Sequence, residues 1–222
     1  MQFFNLHTHN YTNQSDILEL VNQYPNEFDD SIPFYSIGIH PWKIKEEHIA
    51  KELDFIENKL SSYNCLAIGE CGLDKRIEIP LDMQISVFEK QLQLAQKYKK
   101  PVVIHCVAAF QELIEIKNRL KISIPMVIHG FSKNEQVAKQ LIDNGFYLSF
   151  GKYLMQSRSF GTEFEQVFKT IPNDKFFLET DTIEETLKEI YVLAAQYKNI
   201  EMTKLQEIIN TNYDSVFKNL KS

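Results

Sequence analysis

Eight short runs rich in β-branched and aromatic residues recur along this chain, at residues 2–6, 17–22, 34–39, 65–69, 102–104, 125–128, 146–150 and 176–178. Several are apolar throughout, as strands covered on both faces are. Between most of them the apolar residues switch to a helical period. One segment carries Ile49, Leu53, Ile56 and Leu60, and another carries Ile85, Phe88, Leu92 and Ala95. A third, with Val137, Leu141 and Ile142, closes on the helix-stop pair Asn144-Gly145. Repeated β-α units with short links predict an α/β fold with a parallel sheet, and eight strands favour closure into a TIM-like (β/α)8 barrel. One link breaks the pattern. Only N-Y-T-N-Q-S-D lies between His9 and Ile17, too short for a crossover helix. Either the barrel is shortened, with its first crossover helix missing or reduced, or residues 17–22 are not a barrel strand. Residues 183–220 read as two or three closing helices. With no linker, repeat or low-complexity tract, residues 1–222 are expected to form a single barrel domain.

The polar residues that end these runs are a second regularity. His7 and His9 close F-F-N-L-H-T-H, His40 closes F-Y-S-I-G-I-H, His105 closes P-V-V-I-H and His129 closes P-M-V-I-H. Glu70 in C-L-A-I-G-E and Asp181 in F-F-L-E-T-D hold equivalent positions. Imidazoles and carboxylates gathered at strand ends form the ligand set of a borderline divalent metal, and the C-terminal mouth of such a barrel is where its functional residues gather. Side chains alternate faces along a strand, so His7 and His9 point one way and Thr8 the other. The same alternation turns Cys71 away from Glu70 and Cys106 away from His105, into packing. Other polar residues have plainer readings. His40 precedes Pro41 and Trp42, where a structural turn explains it equally well; Asp74 reads as a loop residue or helix cap. Glu179, two before Asp181, shares its face and could support it, whereas His48 in K-E-E-H reads as solvated surface.

Charge and cysteine usage narrow the setting. A net charge of −6 argues against a broad basic surface for gripping long duplexes. Cys65, Cys71 and Cys106 are an odd number without C-x-x-C spacing, poor material for a disulfide framework or a zinc knuckle. No apolar stretch approaches the roughly 20 residues of a membrane span, so no membrane partner is expected. The first residues lack the basic-then-apolar layout of a signal peptide, whose removal would take His7 and His9 with it. A cytoplasmic protein is expected.

The motifs H-T-H, G-I-H-P, A-I-G-E-C-G-L-D, P-V-V-I-H, I-H-G-F-S and L-E-T-D stand between residue 5 and about residue 182. In order and approximate spacing they resemble the TatD family of metal-dependent deoxyribonucleases, within the wider amidohydrolase-like metal barrels. A weaker echo is N-x-x-x-V-F at residues 212–217. The resemblance implies a hydrolase with two divalent ions, magnesium, manganese or zinc: His7, His9 and Asp181 would hold one, His105 and His129 the second, and Glu70 would bridge them. It further implies that Asp181 accepts the proton of the attacking water, that His40 contacts substrate phosphate or orients water, and that the substrate is a single-stranded DNA end shortened from its 3′ side. Two departures concern substrate grip. Val107 stands where family members usually carry an arginine, and T-I-E-E-T after Asp181 runs into a helix where they carry a loop with proline and arginine. Lys43, Lys75, Arg76, Lys133, Lys152 and Arg158 are candidate replacements, and Trp42, Phe131 or Tyr153 could stack on a base. These departures keep open a smaller substrate on the same centre: a phosphoester, lactone or amide. A non-enzymatic scaffold on a dead barrel is disfavoured, because no ligand position is lost. Phosphatase barrels of the polymerase-and-histidinol-phosphatase type also open with H-x-H but lack the G-E-x-G-L-D and E-T-D segments.

Overall fold

The computed structural model describes residues 2–157 and 161–218. Among them are eight strands: β1 (Phe3–Thr8), β2 (Ile17–Gln23), β3 (Tyr35–Ile37), β4 (Cys65–Asp74), β5 (Val102–Val107), β6 (Met126–Ile128), β7 (Phe146–Phe150) and β8 (Phe176–Leu178). They follow one another in the sheet in chain order. From β3 onward each strand is followed by helix: α1 (Ile49–Leu60), α2 (Leu81–Lys97), α3 (Phe110–Arg119), α4 (Glu135–Asp143), the pair α5 (Lys152–Gln156) and α6 (Glu163–Thr170), and the pair α7 (Leu187–Lys198) and α8 (Met202–Tyr213). This is the TIM-like (β/α)8 order expected from the alternating pattern. No helix among the described residues is long and apolar enough to cross a membrane. The chain divides into two compact units, one built from the residues up to 20 and from 128 onward, the other from Val21–Val127.

In the first unit, the link between β1 and β2 decides between the two readings of residues 17–22. The Phe3 amide donates to the Asp16 carbonyl at 2.8 Å, so the two strands start side by side. Residues 9–16 therefore run back along β1, and they do so without a helix. Eight extended residues reach about 26–29 Å, and a six-residue strand is about 20 Å long, so the return closes. Thr12 ties it down, donating to the buried Glu19 carboxylate from its amide at 3.0 Å and its hydroxyl at 2.9 Å. Residues 17–22 are thus a sheet strand, and the first crossover helix is missing. Only a 3-10 turn, Pro25–Glu27, separates β2 from β3.

The core of this unit is aromatic. Phe4 on β1 packs against Phe177 on β8, and against Tyr213 and Phe217 near the end of the described chain. Tyr191 of α7, fully buried, brackets the Phe4 backbone, donating to its carbonyl at 2.9 Å and accepting its amide at 3.2 Å. β8 pairs in parallel with β7. Beyond its end, Asp181 bridges to Thr8: its amide donates to the His7 carbonyl at 2.9 Å, and its carbonyl accepts the His9 amide at 3.2 Å.

In the second unit β2, β3, β4 and β5 pair in parallel. β4 is twice the expected length and runs through Glu70 to Asp74; β5 runs past His105 to Val107. Glu70 and His105 are therefore within strands, not at their ends. The β4–β5 register shifts between Ile68 and Cys71. Gly69 makes that shift possible: its φ is +142°, and a Cβ there would stand 2.4 Å from the Val103 carbonyl oxygen. α2 covers β4 with Val87, Phe88 and Leu92 buried. On the same helix two buried glutamines clamp backbone. Gln91 accepts the Ile39 amide at 2.8 Å and donates to its carbonyl at 3.2 Å. Gln84 does the same for Asp74, at 2.8 and 3.0 Å.

Replacing Tyr191 by Phe keeps the ring and leaves the Phe4 backbone without its hydroxyl partner. Urea denaturation is expected to give a stability loss of about 1–3 kcal/mol, with an unchanged slope against denaturant. A loss below 0.5 kcal/mol would mean that β1 does not depend on this anchor.

Candidate metal centre

In the first unit, β1 presents His7 and His9 on one side, as its alternation requires; their rings meet edge to face at 5.1 Å between centroids. The double backbone tie of Asp181 to β1 holds its carboxylate in register with them. Asp181 Oδ1 is 3.7 Å from His7 Nε2 and 3.5 Å from His9 Nε2. Asp181 adopts φ +53°, a left-handed conformation that Asp tolerates better than most residues. The His129 ring is 4.4 Å from that of His7, and one ligand atom each from His7, His129 and Asp181 lie within 4.8 Å of one another. Donors about 2.0–2.2 Å from a common ion stand roughly 3–4 Å apart, so the spacing suits a bound cation.

Glu179 lies beneath this group. It is 1% exposed; its Oε1 accepts the Gly130 amide at 2.6 Å and faces His129 Nδ1 at 3.5 Å. Burial pushes the Glu179 carboxyl up, but the hydrogen bond and charge of His129, the charge of His7 and the Ser149 hydroxyl together outweigh it and hold it below its ordinary value. A carboxylate behind one imidazole nitrogen, leaving the other for a metal, is a recurrent device for orienting metal-binding histidines.

The second unit repeats the device. His105 Nδ1 lies 3.0 Å from Glu70 Oε1, while its Nε2 lies 3.3 Å from Asp74 Oδ2. Asp74 is 2% exposed and well supplied with donors: the Trp42 indole N–H at 2.7 Å and the Arg76 amide at 2.8 Å. Burial would raise its pKa; the indole, the amide and His105 prevail and lower it. The two ring nitrogens of His105 thus face two buried carboxylates, Asp74 on one side and Glu70 on the other. Glu70 is itself buried, and its amide donates to Asn22 Oδ1 at 2.6 Å.

His40 completes the cluster with different chemistry. Its Nε2 is 3.1 Å from Glu70 Oε1, and ligand atoms of His40, Glu70 and His105 converge within 4.8 Å. Its Nδ1, however, accepts the Trp42 amide at 3.1 Å. A neutral imidazole whose Nδ1 accepts must carry its proton on Nε2. His40 is thus set as an N–H donor, toward Glu70 or toward an anion, and not as a ligand.

Of the expected site residues, His7, His9, His129 and Asp181 belong to the first unit and His40, Glu70 and His105 to the second. The His129 ring stands against that of His7. Asp74 ends strand β4 beside His105 and is not in a loop or at a helix cap; it shares a face of β4 with Glu70 and Gly72 by period-2 spacing, the signal that could have singled it out. Asn22, the partner of the Glu70 amide, left no sequence signal. Of the grip candidates, Phe131 is buried against Phe150, whereas Trp42 and Tyr153 are exposed. Lys43 pairs with Glu27 and Lys75 with Glu112; Arg158 lies outside the described residues. His48 is half-buried, not fully solvated.

Comparison with known proteins gives a consistent set of likenesses. The family model of TatD-related DNases matches residues 1–218. An uncharacterized metal-dependent hydrolase of Haemophilus influenzae is 32% identical over 155 residues, covering 67% of this chain and 58% of that protein. The 3′-5′ ssDNA/RNA exonuclease TatD of Salmonella typhimurium is 28% identical over 167 residues, covering 74% of this chain and 61% of that protein. The chain thus spans about three fifths of the curated relatives it matches. Among solved structures, the TatD homolog YJJV of Escherichia coli superposes with a TM-score of 0.83 at 20% identity over 97% of both chains. A TatD family hydrolase from Entamoeba histolytica superposes with a TM-score of 0.80 at 18% identity over 98% of both.

Replacing Asp74 by Asn keeps the shape and reverses the hydrogen bonding offered to His105. Calorimetric titration with manganese or zinc is expected to show one class of site weakened about 10–100-fold and the other unchanged. Equal weakening of every site, or none, would contradict the assignment of Asp74 to His105.

Proposed function

The chain belongs to the family of TatD-related DNases, and from that premise we propose that it is a divalent-metal-dependent hydrolase removing nucleotides from the 3′ ends of single-stranded DNA. The observation that carries this reading is the repeated carboxylate–histidine pair, His129 with Glu179 and His105 with Asp74. Two buried carboxylates spent on orienting two imidazoles answer the needs of metal ligation; packing alone would favour apolar residues there. His7, His9, His129 and Asp181 are the donors for one ion, and Glu70 and His105 for another. Bound at these donors, divalent ions would supply Lewis acidity toward a phosphoryl oxygen and a lowered pKa for water. Mixed imidazole and carboxylate donors suit zinc or manganese by softness, with magnesium a less natural guest.

The side chains divide the remaining work. Asp181, partly exposed, is the proton acceptor: water attacks phosphorus, its proton passes to an Asp181 carboxylate oxygen, and the phosphorus–oxygen bond to the 3′ oxygen of the shortened strand breaks. That oxygen takes a proton from solvent. His40, with its proton fixed on Nε2 by the Trp42 amide, donates to a phosphate oxygen and holds the ester for attack. The exonuclease named for the Salmonella relative supports the choice of substrate. Val107, apolar and half-exposed at the end of β5, favours the second reading, a smaller phosphoester, lactone or amide on the same centre.

A time course on 5′-labelled single-stranded DNA tests the proposal, with protein stripped and reloaded separately with magnesium, manganese and zinc. The expected result is a ladder shortening from the 3′ end, slowed about 10²–10⁴-fold by Asp181→Asn. An intact strand with metal bound would move the assignment to the smaller substrates.

A further inference from the structure

Beside the cluster on β3–β5 lies a cavity of 380 Å³ that shares His40 with it. The sole tryptophan of the chain, Trp42, stands on its rim, 61% exposed. The indole edge is fixed, N–H to Asp74, and meets the rings of His40 and His105 edge to face at 5.1 and 5.6 Å. With its polar atom engaged, what Trp42 offers solvent is ring surface. The cavity is small among ligand pockets, which run about 300–1,000 Å³, and suits a single nucleoside.

Its inner wall carries a carboxylate where packing would call for an aliphatic residue. The buried stripe of α1 is Glu52, Ile56 and Leu60, spaced at i, i+4 and i+8. Glu52 is 4% exposed and lines the cavity. One of its oxygens takes the Asn26 amide; the other has no hydrogen-bond partner among the described residues. A carboxylate on a cavity wall attracts a hydrogen-bond donor from whatever enters. Lys45, also on the wall, makes no ion pair among the described residues, and Tyr24 adds a second aromatic surface.

Building on the nuclease reading, we infer that this cavity receives the base of the 3′-terminal nucleotide, stacked on Trp42, with Glu52 selecting bases that carry an amino group. Adenine, guanine and cytosine each offer an amine to a carboxylate. Thymine offers a single ring N–H between two carbonyl oxygens, which the carboxylate repels. Lys45 meets phosphate without regard to the base. Stacking is tolerant of sequence, so discrimination rests on Glu52.

Trp42 is its own reporter. Its emission is followed in chelator-treated protein, with no turnover, as dAMP, dGMP, dCMP, TMP or deoxyribose 5-phosphate is added. Saturable quenching by the first three is expected, with TMP weaker by about tenfold, the worth of a hydrogen bond to a charged group, and deoxyribose 5-phosphate silent. Glu52→Gln keeps an acceptor for Asn26 and is expected to bring TMP level with the others. Lys45→Ala weakens all four nucleotides alike, keeping their order. Quenching by all four equally in the unaltered protein, or by none, overturns the inference, and so does a Glu52→Gln variant, folded by circular dichroism, that still discriminates. Cleavage of DNA is measured separately on the same preparation. Active protein without selective quenching sinks only the base pocket, and selective quenching without cleavage sinks only the nuclease reading.

Discussion

The backbone of Asp181 is hydrogen-bonded to β1 on both sides, through the His7 carbonyl and the His9 amide. This pairing carries the first unit's chemistry. It sets an acid beside two imidazoles by main-chain geometry, independent of side-chain rotamers, and it does so where β8 returns to β1. Anything that loosens β1 loosens all three groups together. That explains the weight of anchoring placed on the strand: the Tyr191 hydroxyl on the Phe4 peptide, the aromatic cluster around the Phe4 ring, and a return link tied to Glu19. The left-handed φ of Asp181 is a local cost of the same arrangement, sustained by the bonds on either side.

The second unit reaches a comparable result by another route. There the rigid element is α2, whose glutamines at 84 and 91 lie two turns apart and clamp the backbone of Asp74 and of Ile39, next to His40. Asp74 then collects the Trp42 indole, the Arg76 amide and His105, and the Trp42 amide fixes the proton of His40. A chain of hydrogen bonds thus runs from helix to strand to imidazole, each step setting the next. Burial works against the charge of Asp74 as of Glu179, and in both the donors around the carboxylate prevail. The outcome is a pair of imidazoles, His105 and His129, each oriented by a buried carboxylate.

How much of this could be read beforehand follows from the range of each interaction. The strand runs and the helical stripes were legible because hydrophobic period is local; the place of β2 stayed open in the sequence, because its crossover helix is missing, until the hydrogen bond between Phe3 and Asp16 set it beside β1. The extents of β4 and β5 were not legible, because Gly69 and the register shift serve a neighbouring strand and leave no apolar pattern. Asp74 was misread for a related reason. The reading of a polar residue in G-L-D as a cap assumed the strand had ended, whereas Gln84 and Trp42 extend the ordered backbone to it. Phe131 was offered as a stacking surface on residue type alone, and its burial against Phe150 could come only from the tertiary fold. Which histidines meet is likewise a matter of neighbouring strands; His129 stands by His7 across more than a hundred residues of chain.

Substrate grip is where charge and geometry meet. A chain of net charge −6 has little to hold a phosphate backbone with, and Lys43 and Lys75 are already paired with Glu27 and Glu112. Such exposed pairs are worth about 0–1 kcal/mol, so either lysine can exchange its carboxylate for a phosphate at small cost, but neither adds a new net charge. On the proposed nuclease reading, recognition is concentrated on one nucleotide, where the ring surface of Trp42, the Glu52 carboxylate and the oriented His40 imidazole would act at short range and be little screened by salt. That economy suits an exonuclease, which needs to hold only an end.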